Sequence, residues 1–213
     1  MLRVENISKI IRKSHKIISR YQNISFKIVR GEYVAIFAPK NSGKSLILSS
    51  IATLTPPDKG KIFLHSRDIY ALKKEELLIF RQKTIGAAFK EMKLLPYLTV
   101  EENILIPSLQ LPDYNNKENL NYLLSLLELK NVTKKYPNEL TCSEYTMTIL
   151  ARAMCNRPSL LILDELSDNL RPSELKIFNN GIKKFIKENQ SAVLTSVNAM
   201  NKTVAATRII DIS

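Results

Sequence analysis

Glycine is scarce in this chain: among 213 residues there are five, Gly31, Gly43, Gly60, Gly86 and Gly181. There are also no repeats and no low-complexity tracts, so fibrous and disordered architectures are excluded. Cysteine is nearly absent too. Cys142 and Cys155 form neither a CxxC pair nor a disulfide framework, which points to a reducing cytosolic setting. The two histidines, His15 and His65, lack metal-spaced companions, so each reads as a surface or turn residue and not as a ligand or base. Long apolar runs are missing as well. The opening MLRVENISKI has no apolar core of leader type, and Leu160 to Leu163 is far too short to cross a bilayer. The sequence therefore predicts a soluble chain that is not secreted.

What is present suffices for a full core. Hydrophobic residues make up 45% of the chain, enough for one domain over 1–213 with a subdomain inserted. Lysine and arginine number 32 against 20 acidic residues, a net charge of +12. The excess is concentrated near the start, where Arg3, Lys9, Arg12, Lys13, Lys16, Arg20, Lys27 and Arg30 face one acid, Glu5. Such a balance suits nucleic acid, an anionic membrane face or phosphate ligands, and equally the solvated face of a lysine-rich protein.

Hydrophobic patterning predicts strands at Ser25 to Val29 and Tyr33 to Ala38, separated by the turn Arg30-Gly31-Glu32. A helix is expected from Lys44, and short strands at Lys61 to Leu64 and Ile85 to Phe89. From about Glu101 to Met154 the pattern turns helical: Glu101 to Gln110, Asn116 to Leu129 and Cys142 to Met154. The strand Leu160 to Leu163, the helix Pro172 to Asn189 and the strands Ala192 to Val197 and Arg208 to Ile212 complete the chain. The expected fold is α/β, with a parallel-sheet core over 1–90 and 158–213 and a helical subdomain over about 91–157. The leucines at 120, 123, 124, 126 and 127 span too few heptads for a zipper and should pack that subdomain.

The run APKNSGKS, Ala38 to Ser45, has the spacing of a phosphate-binding loop. It sits between an apolar strand and a helix, where backbone N–H groups and the helix dipole both favour an anion. Candidate nucleotide contacts are Ala38, Pro39, Lys40, Asn41, Ser42, Gly43, Lys44, Ser45 and Leu46. Lys44 would neutralise the terminal phosphates, and the Ser45 hydroxyl would ligate Mg²⁺. Ala38 and Asn41 stand where such loops prefer glycine; a methyl is the smallest addition, and asparagine tolerates left-handed backbone. A second element, Leu160-Leu161-Ile162-Leu163-Asp164-Glu165, ends an apolar strand in two acids. Asp164 could hold the Mg²⁺ water shell and Glu165 could polarise an attacking water.

These runs, with LLPYLTVEENILIP, YPNELTCSEYTMTILARAM and RPSLLILDE, resemble the ATP-binding-cassette (ABC) ATPases over essentially the whole chain. The resemblance is greatest to the subgroup serving lipoprotein release, macrolide export and cell division. It implies a P-loop NTPase core with an N-terminal antiparallel β portion, and an ATP- and Mg²⁺-dependent subunit. That subunit would work as a dimer, peripheral on the inner face of the cell membrane, on an integral permease-like partner.

The departures from that family are concentrated. Where its signature reads LSGGQ, this chain has Leu140 followed by Thr141, Cys142, Ser143 and Glu144; Thr141 keeps a hydroxyl and glutamate is seen last in relatives, but Cys142 and Ser143 place side chains where backbone should approach the other protomer's nucleotide. By the same resemblance the sensing glutamine is Lys90, the switch histidine Asn198, the aspartate linking the two sites Arg171 and the adenine-stacking aromatic Ile11. Losing one preorganised transition-state donor costs on the order of 10²–10³ in rate, although such losses do not simply multiply. The expected function is therefore Mg-ATP binding with slow or defective hydrolysis. A non-catalytic scaffold and a nucleic-acid-associated ABC ATPase are the alternatives, the latter disfavoured because the chain has no room for a second cassette or long coiled coil.

Overall fold

The computed structural model describes residues 1–13, 16–39, 42–109, 116–198 and 206–212. It opens with a long antiparallel hairpin, β1 (Leu2–Lys13) and β2 (Lys16–Ile28). Next come β3 (Tyr33–Phe37), α1 (Lys44–Ile51), β4 (Lys59–Leu64) and β5 (Arg67–Asp68). Then follow α2 (Lys74–Thr84), β6 (Ile85–Phe89), α3 (Val100–Leu105), α4 (Asn116–Leu126) and α5 (Cys142–Met154). The last elements are β7 (Leu160–Asp164), α6 (Pro172–Asn189), β8 (Ala192–Val197) and β9 (Arg208–Asp211).

Two sheets result. A parallel sheet has the order β6-β7-β8-β3-β9, and an antiparallel one the order β2-β1-β4-β5. The continuous apolar runs YVAIF and LLIL suit parallel strands buried on both faces. Alternate residues serve two cores. Val34, Ile36, Leu160, Ile162 and Leu194 face α1 and the antiparallel sheet. Tyr33, Leu161, Leu163 and Val193 face the other way, onto Phe178, Ile182 and Phe185 of α6 together with Leu123 of α4 and Leu150 and Met154 of α5. Each fully buried Leu, Ile or Phe side chain contributes about 1.5–3 kcal/mol. The helices between β6 and β7 therefore share their core with the parallel sheet.

Two details position the later elements. A Cβ on Gly86 would lie 2.0 Å from the Ala153 carbonyl oxygen, so β6 and α5 approach as only glycine permits. The TVEEN stretch is a helix start: Thr99 caps α3, its N–H and hydroxyl both donating to the Glu102 carboxylate, while the Thr99 oxygen accepts the Glu102 N–H. Fully buried Asn103 accepts the Leu95 N–H at 2.8 Å and donates to the carbonyls of Leu95, Leu98 and Thr99. The LLPYLTVEEN run thus has a structural role, which is to fold the loop before α3.

The structure also differs from the sequence expectations. Patterning predicts neither β1, nor most of β2, nor α2. The helix expected over Glu101 to Gln110 is α3 followed by a 3₁₀ turn at Ile106–Ser108, because Pro107 removes a helical donor; Gln110 lies outside the described residues. α4 ends at Leu126 and not at Leu129, with Glu128 in left-handed backbone.

Candidate functional site

Parallel strands all deliver their C-terminal ends to one edge, where α/β sheets carry ligands. Register makes this concrete: Phe37 pairs with Val197, Ser196 with Asp164 and Asp164 with Phe89. The loop after β3, Lys90 after β6, Asp164 and Glu165 at the end of β7 and Asn198 after β8 therefore share one edge.

On that edge lies a cleft of about 430 Å³, walled by Ser42, Gly43, Lys44, Ser45 and Leu46, by Lys90 and Glu165, and by Ile18 and Ser19 of β2. Gly43 caps α1 at φ 88, and a Cβ there would sit 2.3 Å from the Arg20 carbonyl oxygen. The loop thus needs glycine here twice over, for its left-handed backbone and for the strand lying against it. Lys44 is 4% exposed, and its ammonium donates to the carbonyls of Ala38 at 2.6 Å and Pro39 at 3.0 Å. Burial pulls its pKa below the ordinary lysine value, opposed by the charges of Glu165, Asp164 and Asp168. The Ser42 hydroxyl oxygen is buried and has no hydrogen-bond partner among the described residues. Leu46 packs mainly into the core. Lys40 and Asn41 lie outside the described residues.

Asp164 is 6% exposed, and burial raises its pKa above the ordinary aspartate value. Hydrogen bonds from Ser196 and Ser45 oppose that shift. The Ser196 hydroxyl also accepts the backbone N–H of Glu165 at 3.1 Å, so one serine on β8 fixes both acids. Glu165 has φ 49, a left-handed conformation that turns its side chain out of the strand register into the cleft. There its carboxylate meets the Lys90 ammonium at 3.7 Å, while the Lys90 N–H holds the Asp164 carbonyl at 3.1 Å. Asn198 donates from Nδ2 to Asp168 at 3.2 Å, and its Oδ1 is buried with no partner among the described residues.

Other candidate positions lie elsewhere. Thr141, Cys142, Ser143 and Glu144 do not line the cleft. Thr141 caps α5: its oxygen accepts the Glu144 N–H at 3.2 Å, and its own N–H donates to the Glu144 carboxylate at 2.7 Å. That backbone donor holds the Glu144 carboxyl below the usual range. Cys142 is exposed, and the Ser143 hydroxyl reaches Glu174 on α6. Arg171 opens α6, its N–H and guanidinium both on Glu174. Ile11 packs against the core and not on the cleft, where the apolar wall is Ile18. Sequence reasoning does not find Ile18, Ser19 or Ser196. Only the strand pairing of β2 and β8 brings them here, so no local signal marks them.

An oxygen-lined notch of Ser45 and Asp164, with no cluster of three or more acidic, histidine or cysteine side chains among the described residues, fits a hard cation that takes its remaining ligands from phosphates and water. A buried lysine, an unpartnered serine hydroxyl and a helix N-terminus beside it fit the phosphates themselves.

A phosphate loop and an acidic strand at one edge of a parallel sheet define a P-loop nucleotide-binding protein. The chain belongs to the ABC transporter family, whose family model matches residues 21–168. It falls with the ATP-binding subunits of the lipoprotein-release and cell-division subgroup. It is 36% identical over 178 residues to the lipoprotein-releasing system ATP-binding protein LolD of Aquifex aeolicus, covering 83% of this chain and 78% of LolD. To the cell division ATP-binding protein FtsE of Bacillus subtilis it is 30% identical over 190 residues, covering 86% of this chain and 83% of FtsE. Among solved structures, the dimeric structure of MJ0796, a bacterial ABC transporter cassette, superposes with a TM-score of 0.89 at 25% identity, covering 100% of this chain and 94% of that one. A dimeric post-hydrolysis state of MJ0796, bound to ADP and Pi, gives a TM-score of 0.90.

Proposed function

We propose that this chain binds Mg-ATP in the cleft around Lys44 and hydrolyses it slowly or not at all. One observation carries the reading: the carboxylate placed to act as base, Glu165, is engaged by the Lys90 ammonium at 3.7 Å. An ammonium there competes with an attacking water for the carboxylate lone pairs, and a general base must reach its proton donor directly or through one water. Asn198 adds to the deficit. Its side chain is tied to Asp168 and offers an amide where a switch would need an ionisable donor.

In the proposed roles Lys44, the loop from Ala38 to Leu46 and Ser45 hold the triphosphate, and Ser45 with Asp164 holds Mg²⁺. Bound Mg²⁺ would neutralise phosphate charge. Residues 141–144 would serve a nucleotide held by a second protomer, a reading that the dimeric state of the similar MJ0796 cassette supports. The chain would dock on an integral permease-like partner at the inner membrane face; among its described residues no helix is long and apolar enough to cross a membrane. The division into a core (1–90 and 158–213) and a helical subdomain (91–157) belongs to the same proposal.

The test is a titration of the purified chain with Mg-ATP beside Lys44→Ala. Saturable binding that Lys44→Ala weakens by about a hundredfold is expected. A folded chain that binds no ATP up to millimolar concentration would replace this reading with that of a scaffold.

A further inference from the structure

The cleft is equipped for phosphate far better than for a base. Two lysines enter it, Lys44 from α1 and Lys90 from the end of β6. The Ser42 hydroxyl is buried with no partner among the described residues, and Ser45 is at hand beside it. Lys90, 3.7 Å from the Glu165 carboxylate, adds positive charge at the same edge of the cleft while keeping that partner.

Besides Gly43, Leu46 and the Lys90-paired Glu165, the remaining wall is two residues of β2, Ile18 and Ser19. Ile18 is 57% exposed and offers plain apolar contact that fits any base. A serine hydroxyl both donates and accepts, so it cannot tell the amino group of one base from the carbonyl of another. No aromatic ring and no side-chain amide lines the cleft among the described residues. The ring nearest in sequence on β2, Tyr21, is buried with its hydroxyl on Ser50. Base selection elsewhere rests on stacking, worth about tenfold or more in affinity per base, or on paired hydrogen bonds to the base edge.

We infer that the cleft recognises the triphosphate chain and is indifferent to the base it carries. GTP, CTP and inorganic tripolyphosphate then bind about as tightly as ATP. The inference rests on the phosphate-binding role proposed for the cleft and specifies its ligand class.

Isothermal titration of the full chain in Mg²⁺ with ATP, GTP, CTP and inorganic tripolyphosphate tests it. The four Kd values are expected within about threefold of one another, a spread of well under one tenfold step in affinity. Ile18→Ala should weaken ATP, GTP and CTP alike, by no more than about threefold, and leave tripolyphosphate unchanged, whereas Lys44→Ala should weaken all four by about a hundredfold. Binding of ATP tenfold tighter than GTP and tripolyphosphate would overturn the inference and leave the proposed function standing. So would an Ile18→Ala chain that loses ATP but keeps tripolyphosphate. If a folded chain, verified by its melting transition, bound none of the four, both would fall.

Discussion

The two halves of the cleft edge are built by different rules. In the phosphate-facing half a buried lysine, a left-handed glycine and a serine-held aspartate are each fixed by the elements around them, with Lys44 on two loop carbonyls and Asp164 on Ser196. On the switching side the residues hold one another, Lys90 on Glu165 and Asn198 on Asp168. Fixed groups are pre-organised for a ligand, whereas groups paired to each other must first be separated. On the proposed roles, binding and turnover can thus be lost independently on one scaffold, because different side chains supply them, even where two, Asp164 and Glu165, are neighbours in sequence.

Lys44→Ala strikes hardest at the pre-organised half. It should raise the Kd for Mg-ATP by about a hundredfold, since charge-assisted phosphate contacts are among the strong ones. Melting should barely fall, because the variant also removes a buried, desolvated cation. Asn103→Ala should do the reverse. Four hydrogen bonds at a fully buried site would be lost, for about 2–3 kcal/mol or a Tm drop of roughly 4–12 °C in a chain of this size. Its Kd should stay within twofold or so, measured by the same titration.

Smaller effects are expected in the self-paired half. Lys90→Gln combined with Asn198→His should free Glu165 and raise steady-state phosphate release by about tenfold. An unchanged rate would show that the signature residues, not the ion pair, set the limit. Last comes Asp164. Its folded-state pKa is raised, so the empty chain binds that proton more readily than the unfolded chain does. Its contribution to stability is therefore greatest below the unfolded carboxyl pKa and is lost as pH rises through the higher folded value. Asp164→Asn should then stabilise the empty chain at neutral pH by about 1 kcal/mol in thermal melts, while impairing Mg²⁺-dependent binding.

Much of this is legible where local chemistry repeats along the chain. APKNSGKS, LLILDE and the amphipathic α6 each announce an element and its place in the sheet, because a buried strand, a loop and a helix all leave signals within a dozen residues. The N-terminal hairpin does not. Register shifts between Val4 and Ile7, Ile7 and Lys9, and Ile11 and Arg12 interrupt the alternation by which a strand is read, and Asn6 and Asn23 adopt left-handed backbone. α2 is faint for another reason: it fully buries no residue, and its apolar residues form one continuous run in which Leu77 and Phe80 pack on the core while Leu78 and Ile79 stay exposed, so no helical spacing marks it. In the site, the pairing of Lys90 with Glu165, 75 positions further along, and the bridging role of Ser196 follow from strand order alone.

Whether nucleotide is held but hardly consumed is decided under single-turnover conditions. A limiting amount of labelled Mg-ATP would be mixed with excess chain and its conversion to ADP followed. The label should be bound and should convert more slowly than about 10⁻² s⁻¹, well below the 1–10³ s⁻¹ typical of enzymes. Conversion of bound ATP at about 1 s⁻¹ or faster would show instead that the Lys90 pairing leaves Glu165 free to work.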